Sequence, residues 1–590
     1  MRTDSLVSAT SAALLLGALP LIAAHGDEHV NMIAGASGEV EDQLEFMSYF
    51  RHGKYTGWVL GHIALMISAW VFAMPVAIML STARSRYHLP AQVVFHILNG
   101  LGIFTGFVYN QSTPDLWEHN SHHPLGWAVV GFTIAWTLIS FFTAYSNDKS
   151  KQSEARPETM QFRRMEQAYM YASLASGAAS PTWRDSGIGS RQNSSDSIFQ
   201  KHEPMQDIEQ GDDEGDDEPE QRGFLGNDKV GRSISRYTKR FSTAKATSIV
   251  RLIQMFLEKV LLLCGFAALA SGFVIYGGLA RKKEVFSVLA HFIKGGIFFW
   301  YGLLTLGRWM GAFTEFGWAW NIRPDYPLVE RWKTRIPSAE FTESFVIWLY
   351  GASNVFLEHL GNAGGEWTPQ DFEHVSITIL FFGGGLLGMI IDSSSLRNLV
   401  NTPVMVQKSR DEELADGMTS SSRFGSHEDA SDAAQQWEEP KTYEFPLNPM
   451  PALVIMLLGM MMSAHKQNSM VSTMMHGQWG GLFTGFALSR AATYLLMYLK
   501  PPTSHFSARP PTELVAAYCL SFGGIMFMLS SHDTVWAIES NGLDAMTVFT
   551  ITAGLTGIIL AWEVICFAIK GWASRKEMAA AGKTLPATCS

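Results

Sequence analysis

The chain has 590 residues, 47% hydrophobic and 17% charged, with a formal net charge of −10. The acidic excess lies in polar stretches such as Asp212–Glu218 and no basic surface accompanies it, which excludes nucleic acid as a partner. Four cysteines, three of them inside apolar runs (Cys264, Cys519, Cys566) and one in the tail (Cys589), exclude a disulfide framework and a CxxC metal pair.

The chain opens with Arg2, a short apolar core from Ala12 and small residues at Ala23-Ala24, the pattern of a cleaved secretory signal peptide over 1–24. The mature segment 25–56 is then a lumenal leader. His25 and His29 could hold copper there, or could simply be part of a solvated polar segment.

Eleven apolar runs follow, at 57–81, 89–109, 125–145, 253–279, 286–312, 341–360, 372–392, 447–464, 478–499, 512–531 and 547–572. About 20 residues at about 1.5 Å each cross a hydrocarbon core of about 30 Å. The expected fold is therefore all-α: a polytopic membrane protein of about 11 transmembrane helices in the lipid bilayer. An odd span count with a lumenal N-terminus places the C-terminus in the cytosol. Arg84, Arg86, Lys149, Lys151, Arg331, Lys333, Arg335, Lys500, Arg575 and Lys576 all fall on the cytosolic side in this arrangement. The exception is Arg281-Lys282-Lys283, which it places in the lumen.

Two long stretches, 146–250 and 393–446, are rich in polar residues and poor in apolar periodicity. They are expected to be disordered cytosolic loops, with serines and threonines beside acidic residues as substrates for kinases. They divide the chain into a helical domain at 57–145, a linking helix at 251–285, a seven-helix domain at 286–572 and a cytosolic tail at 573–590.

Histidines occupy the early part of successive spans: His62 in Gly61-His62-Ile63-Ala64-Leu65-Met66, His96 before Asn99-Gly100, and His122 in His122-His123-Pro124-Leu125-Gly126. Imidazoles on neighbouring helices are what bis-histidine ligation of haem b needs. Residues 57–145 resemble the cytochrome b561 superfamily. His122 to Gly126 fits its third motif, whereas Ile63 and Gly100 depart from the first two. The resemblance implies transmembrane electron transfer with His62, His96 and His122 as haem ligands. His62 and His122 lie at the lumenal level, and His96 lies in the cytosolic half without a fourth ligand at its depth.

A second group, His291, His374, His465 and His476, faces the lumen in the same topology, with His359 and His532 at that level too. Three or four imidazoles meeting there would bind zinc or copper, with Glu358, Glu373 or Asp533 as orienting carboxylates; a structural cluster at the interface is the alternative. Across 286–572 the phrases around His291, Glu373-His374-Val-Ser-Ile and the His465/His476 pair resemble the transmembrane-protein-45-like proteins. FFWYGLLTLGRWMGAF, GWAWN and ESFVIWLYGASNVFLEHL resemble more closely the fungal YTP-one-like membrane proteins. That resemblance covers nearly the whole chain apart from the loops and supplies no reaction.

Two charges inside spans, Arg490 and Glu563, stand at similar depth and are expected to pair, because an unpaired charge there costs about 3 kcal/mol. Three functions remain open. They are haem-linked electron transfer, a lumenal metal site used for hydrolysis or metal handling, and a non-enzymatic transporter or scaffold regulated through its loops. The expected home is the endoplasmic reticulum, Golgi, vacuole or plasma membrane.

Overall fold

A computed structural model describes residues 48–117, 120–154, 244–281, 284–354, 367, 369–419, 447–464, 467 and 469–582. The signal peptide, most of the leader, the greater part of both loops, His359 and His465 lie outside these residues. Every regular element among them is helical. Among the described residues nine helices are long and apolar enough to cross a membrane. Expected span 341–360 is described as far as Asn354, in the helix Ala339–Asn354, and 447–464 corresponds to the shorter helix Met450–Ala464.

Helix α1 (Thr56–Thr82) contains a π-helical stretch, Ser68–Ala73, just before Pro75. A proline has no N–H for the carbonyl four residues earlier. That carbonyl is Val71 O, and it accepts instead from Trp562 Nε1 at 2.7 Å. Helix α2 (His88–Ser112) packs against α1 through Gly102, where a β-carbon would press on Met66, and through Trp70, which donates to Asn99 Oδ1 at 3.0 Å.

Helices α3 (His122–Glu154) and α4 (Ala244–Gly277) extend into the 146–250 segment from both sides. Residues 131–260 form a compact unit of their own. Within it Glu258 accepts from Trp136 Nε1 and Gln254 Nε2, both at 3.3 Å. A buried carboxylate in an apolar setting needs such donors.

In the other unit, the turn after α4 leads to α5 (Glu284–Met310). Of the basic run that departs from the charge pattern, Lys282 and Lys283 lie outside the described residues, while the Arg281 guanidinium stacks over Trp117 at 4.8 Å and donates to Leu116 O at 3.1 Å. It is held by local contacts. Next come α6 (Ala339–Asn354), α7 (Pro369–Asp392) and, after one residue, α8 (Ser394–Thr419). Helix α8 corrects the expectation of disorder from residue 393 onward. Its apolar residues recur at three- and four-residue spacing (Leu396, Leu399, Val400, Pro403, Val404), a helical period embedded in polar composition.

The chain continues as α9 (Met450–Ala464), α10 (Met470–Leu499), α11 (Pro511–Leu529), α12 (His532–Ser540) and α13 (Ala545–Ala580). Asp544 caps α13, accepting from Thr547 N at 2.7 Å, and the Thr547 side chain and backbone hold its carboxyl below the usual carboxylate range. Helices α5 and α11 approach closely enough for backbones to touch. A β-carbon on Gly295 would lie 2.5 Å from Gly524 O, and one on Gly524 would lie 2.6 Å from Gly295 O. Glycine is required at both, as membrane helices packed on small residues demand. The core beside them is aromatic: Phe298, Trp479, Phe483 and Phe527, with Phe298 and Phe483 4.3 Å apart.

Candidate functional site

The sequence-expected histidines assemble as two pairs. His62 on α1 and His122 at the start of α3 have ring centroids 6.4 Å apart and planes at 88°. His62 Nδ1 donates to Gly102 O at 2.7 Å. His122 Nδ1 lies 2.9 Å from Ser271 Oγ, whose own hydroxyl is donated to Ala268 O. Glycines make room for both rings: a β-carbon at Gly106 would strike His62, and one at Gly272 would press on His122.

His96 is not part of that pair. Asn99 on its helix bonds Trp70, eight residues after His62, so His96 sits at least about 12 Å deeper. Its ring stands edge-on to Phe95 at 5.1 Å.

The second pair is His291 on α5 and His476 on α10, 6.5 Å apart at 82°. Each Nδ1 donates to a carbonyl one turn back, His291 to Ser287 O and His476 to Ser472 O, both at 2.8 Å. His476 is buried, and Phe527 and Trp479 line the pair. His374 on α7 is within electrostatic reach of His291. His465 lies outside the described residues.

In each of the four paired histidines a neutral ring that carries its proton on Nδ1 has its lone pair on Nε2. Holding the other ring nitrogen is how proteins fix the tautomer and orientation of a metal-binding imidazole. One three-residue group among the described residues brings its ligand atoms within 4.8 Å of one another: Glu284, His532 and Asp533. It is a surface group with a structural duty, since Asp533 Oδ2 accepts from Ala280 N at 2.8 Å and His532 is mostly exposed.

The expected Arg490–Glu563 pair does not form. Arg490 meets Glu513 at 2.7 Å and Glu343 at 3.2 Å. Glu343 also binds Arg308 at 2.5 Å, and Arg308 reaches Glu340 at 3.3 Å. Depth along the chain matched Arg490 to Glu563, but lateral packing decides partners, and α10 turns Arg490 toward α6 and α11. Glu563 instead faces Gly307, with its Oε2 buried and unpartnered.

This network of two arginines and three glutamates was missed in the sequence. Helix ends explain its placement: Glu340 and Glu513 lie in first turns and Arg308 in a last turn, where helix dipoles favour those signs. Trp320 covers it, with Arg308 4.3 Å and Arg490 5.7 Å from the ring. The Trp320 backbone is in the left-handed region at φ 52°, an uncommon conformation for a bulky residue, held by the loop around it. Arg308 Nε donates to Trp318 O at 2.6 Å, and Asn321 Nδ2 bonds Thr314 O, Ile322 O and His505 O. The findable clue was Glu340 and Glu343 at the opening of an otherwise apolar run.

Residues 264–571 match the family model described as "Protein YTP1-like, C-terminal", and residues 43–146 match a domain of unknown function, DUF2427. The chain belongs to the YTP1-like family. An uncharacterised membrane protein of Schizosaccharomyces pombe is 32% identical, covering 92% of this chain and 99% of that protein. An uncharacterised membrane protein of Saccharomyces cerevisiae is 30% identical, over 86% of this chain and 82% of its own length. Protein YTP1 of the same yeast is 20% identical over 49% of this chain and 48% of its own. No solved structure matches the chain. The chain is thus an integral membrane protein of the YTP1-like family, built of helices.

Proposed function

We propose that this YTP1-like protein handles a transition-metal ion, zinc or copper, on the imidazoles of its C-terminal domain. The observation that carries this reading is the His291–His476 pair, two imidazoles 6.5 Å apart on different helices, each held through Nδ1 by the backbone carbonyl one turn back. His374 and His465 are the candidate further ligands in this reading, and His374 would have to close on the pair, because the ring nitrogens of His291, His374 and His476 do not all lie within 4.8 Å of one another. Buried polar residues in spans are functional by default, and neutral nitrogen ligands suit both metals. The site opens toward the lumen, the N-terminus is lumenal and the C-terminus cytosolic, in a membrane of the secretory pathway.

Metal analysis of the purified protein tests it. Zinc or copper near one equivalent is expected, and His476→Ala is expected to remove most of it. Loss on Glu284→Gln but not on His476→Ala would move the site to the surface group.

A second reading is favoured by the His62–His122 spacing. The two rings stand 6.4 Å apart, centroid to centroid, on different helices. His62 and His122 would then hold one haem b through Nε2, and the group would supply one-electron chemistry. A relay across the bilayer fits less well. It needs a second haem near His96, for which the sequence offers no further ligand at that depth. A Soret band that shifts on dithionite reduction and is absent in His62→Ala supports this reading. With neither metal nor haem, the protein reads as a transporter or scaffold regulated through its loops.

A further inference from the structure

We infer that α8 lies in the plane of the membrane, on the surface where α7 emerges, and binds anionic phospholipid there.

At 100° per residue, Leu396, Leu399, Val400, Pro403, Val404 and Val406 fall within an arc of about 160°. Ser395, Asn398, Asn401, Thr402 and Ser409 occupy the other side, with Met405 the one apolar residue among them. A stripe of that width normally faces a protein core, yet its five apolar side chains other than proline are between 41% and 75% exposed. No described residue of the chain covers them.

Continuity identifies the cover. Helix α7 presents Ile379, Leu386, Leu387, Ile390 and Ile391 outward, the exposed apolar surface of a membrane span. Only Ser393 separates its end from the start of α8, so the apolar stripe begins at the boundary of the hydrocarbon. Charge agrees with the placement. Arg397, Lys408 and Arg410 accompany the stripe, and cations at that level are attracted to anionic headgroups. The same charges keep α8 from crossing. Pro403 removes the helix donor of Leu399 O, a loss that is tolerable where water and headgroups are present and costly in hydrocarbon. The stripe ends at Val406, and Asp411 and Glu413 follow. An acidic turn is repelled by an anionic surface, so contact stops near Arg410.

The test uses the full chain in lipid nanodiscs, with nitroxide labels at Val400→Cys and Thr402→Cys and the signal of labelled native cysteines subtracted. Collision with oxygen reports lipid, and collision with a water-soluble nickel chelate reports solvent. In discs containing phosphatidylserine, the label at 400 is expected to favour oxygen and the label at 402 nickel, with accessibility ratios several-fold apart. In discs of phosphatidylcholine alone the contrast should shrink. Combined Arg397→Gln, Lys408→Gln and Arg410→Gln should shrink it likewise. Equal nickel access at both positions in every lipid overturns the proposal, because α8 then stands in water. Equal shielding at both from both reagents also overturns it, because α8 is then folded against protein.

Discussion

Glu343 is the residue on which the buried network turns. One carboxylate oxygen serves Arg308 and the other Arg490, so removing its charge leaves two cations short of a partner in a region nearly closed to solvent. Breaking a buried pair typically costs about 3–5 kcal/mol, because the remaining charge has lost both water and partner. Glu343→Gln is expected to lower the thermal unfolding midpoint in detergent by several degrees. Glu563→Gln provides the contrast. Its carboxylate is engaged with no cation, so the substitution should shift the midpoint little or raise it. Equal, large losses from both would restore a role for Glu563 in holding Arg490. The paired histidines show the same logic on a smaller scale: the hydrogen bond at Nδ1 determines what Nε2 can do.

Helices in this protein meet through glycine where they must approach closely. Gly524→Leu places a branched side chain against the Gly295 carbonyl and the Phe299 backbone of α5, with no space to move into. Overpacking costs about 1–3 kcal/mol and occasionally more, so a lower melting point and reduced monodispersity on size exclusion are expected. A glycine facing open space, such as Gly554, should tolerate alanine without either effect. The start of α13 carries a pH dependence of known sign. The Asp544 carboxyl is held low in the folded protein, so its contribution is present above the unfolded carboxylate pKa and is lost as pH falls through the folded value. Asp544→Asn should flatten that acid limb of the stability profile, as read by melting point against pH.

Across the whole molecule, the two histidine pairs stand at separate places, and in the proposed reading each is a site of its own. His62→Ala is therefore expected to leave metal bound through His476 intact, and metal content measured on the single variants checks that independence. Much of this architecture was legible in the chain. Apolar runs marked the spans because about 20 residues must cross the hydrocarbon whatever their neighbours, and histidines among them stood out because polar groups there are costly. Helix α8 was less legible, since its period lay beneath a polar average.

The sequence by itself determined the class, the helices and the family resemblance, because these follow from local composition and motif. Only the tertiary structure decided which buried groups face each other: His62 with His122, His291 with His476, and Arg490 with Glu343 and Glu513 rather than Glu563. Position along a helix gives depth to within a turn, but the partner at that depth depends on rotation and on which helices are neighbours. Those are set by packing of the whole bundle, and no local stretch of sequence contains them.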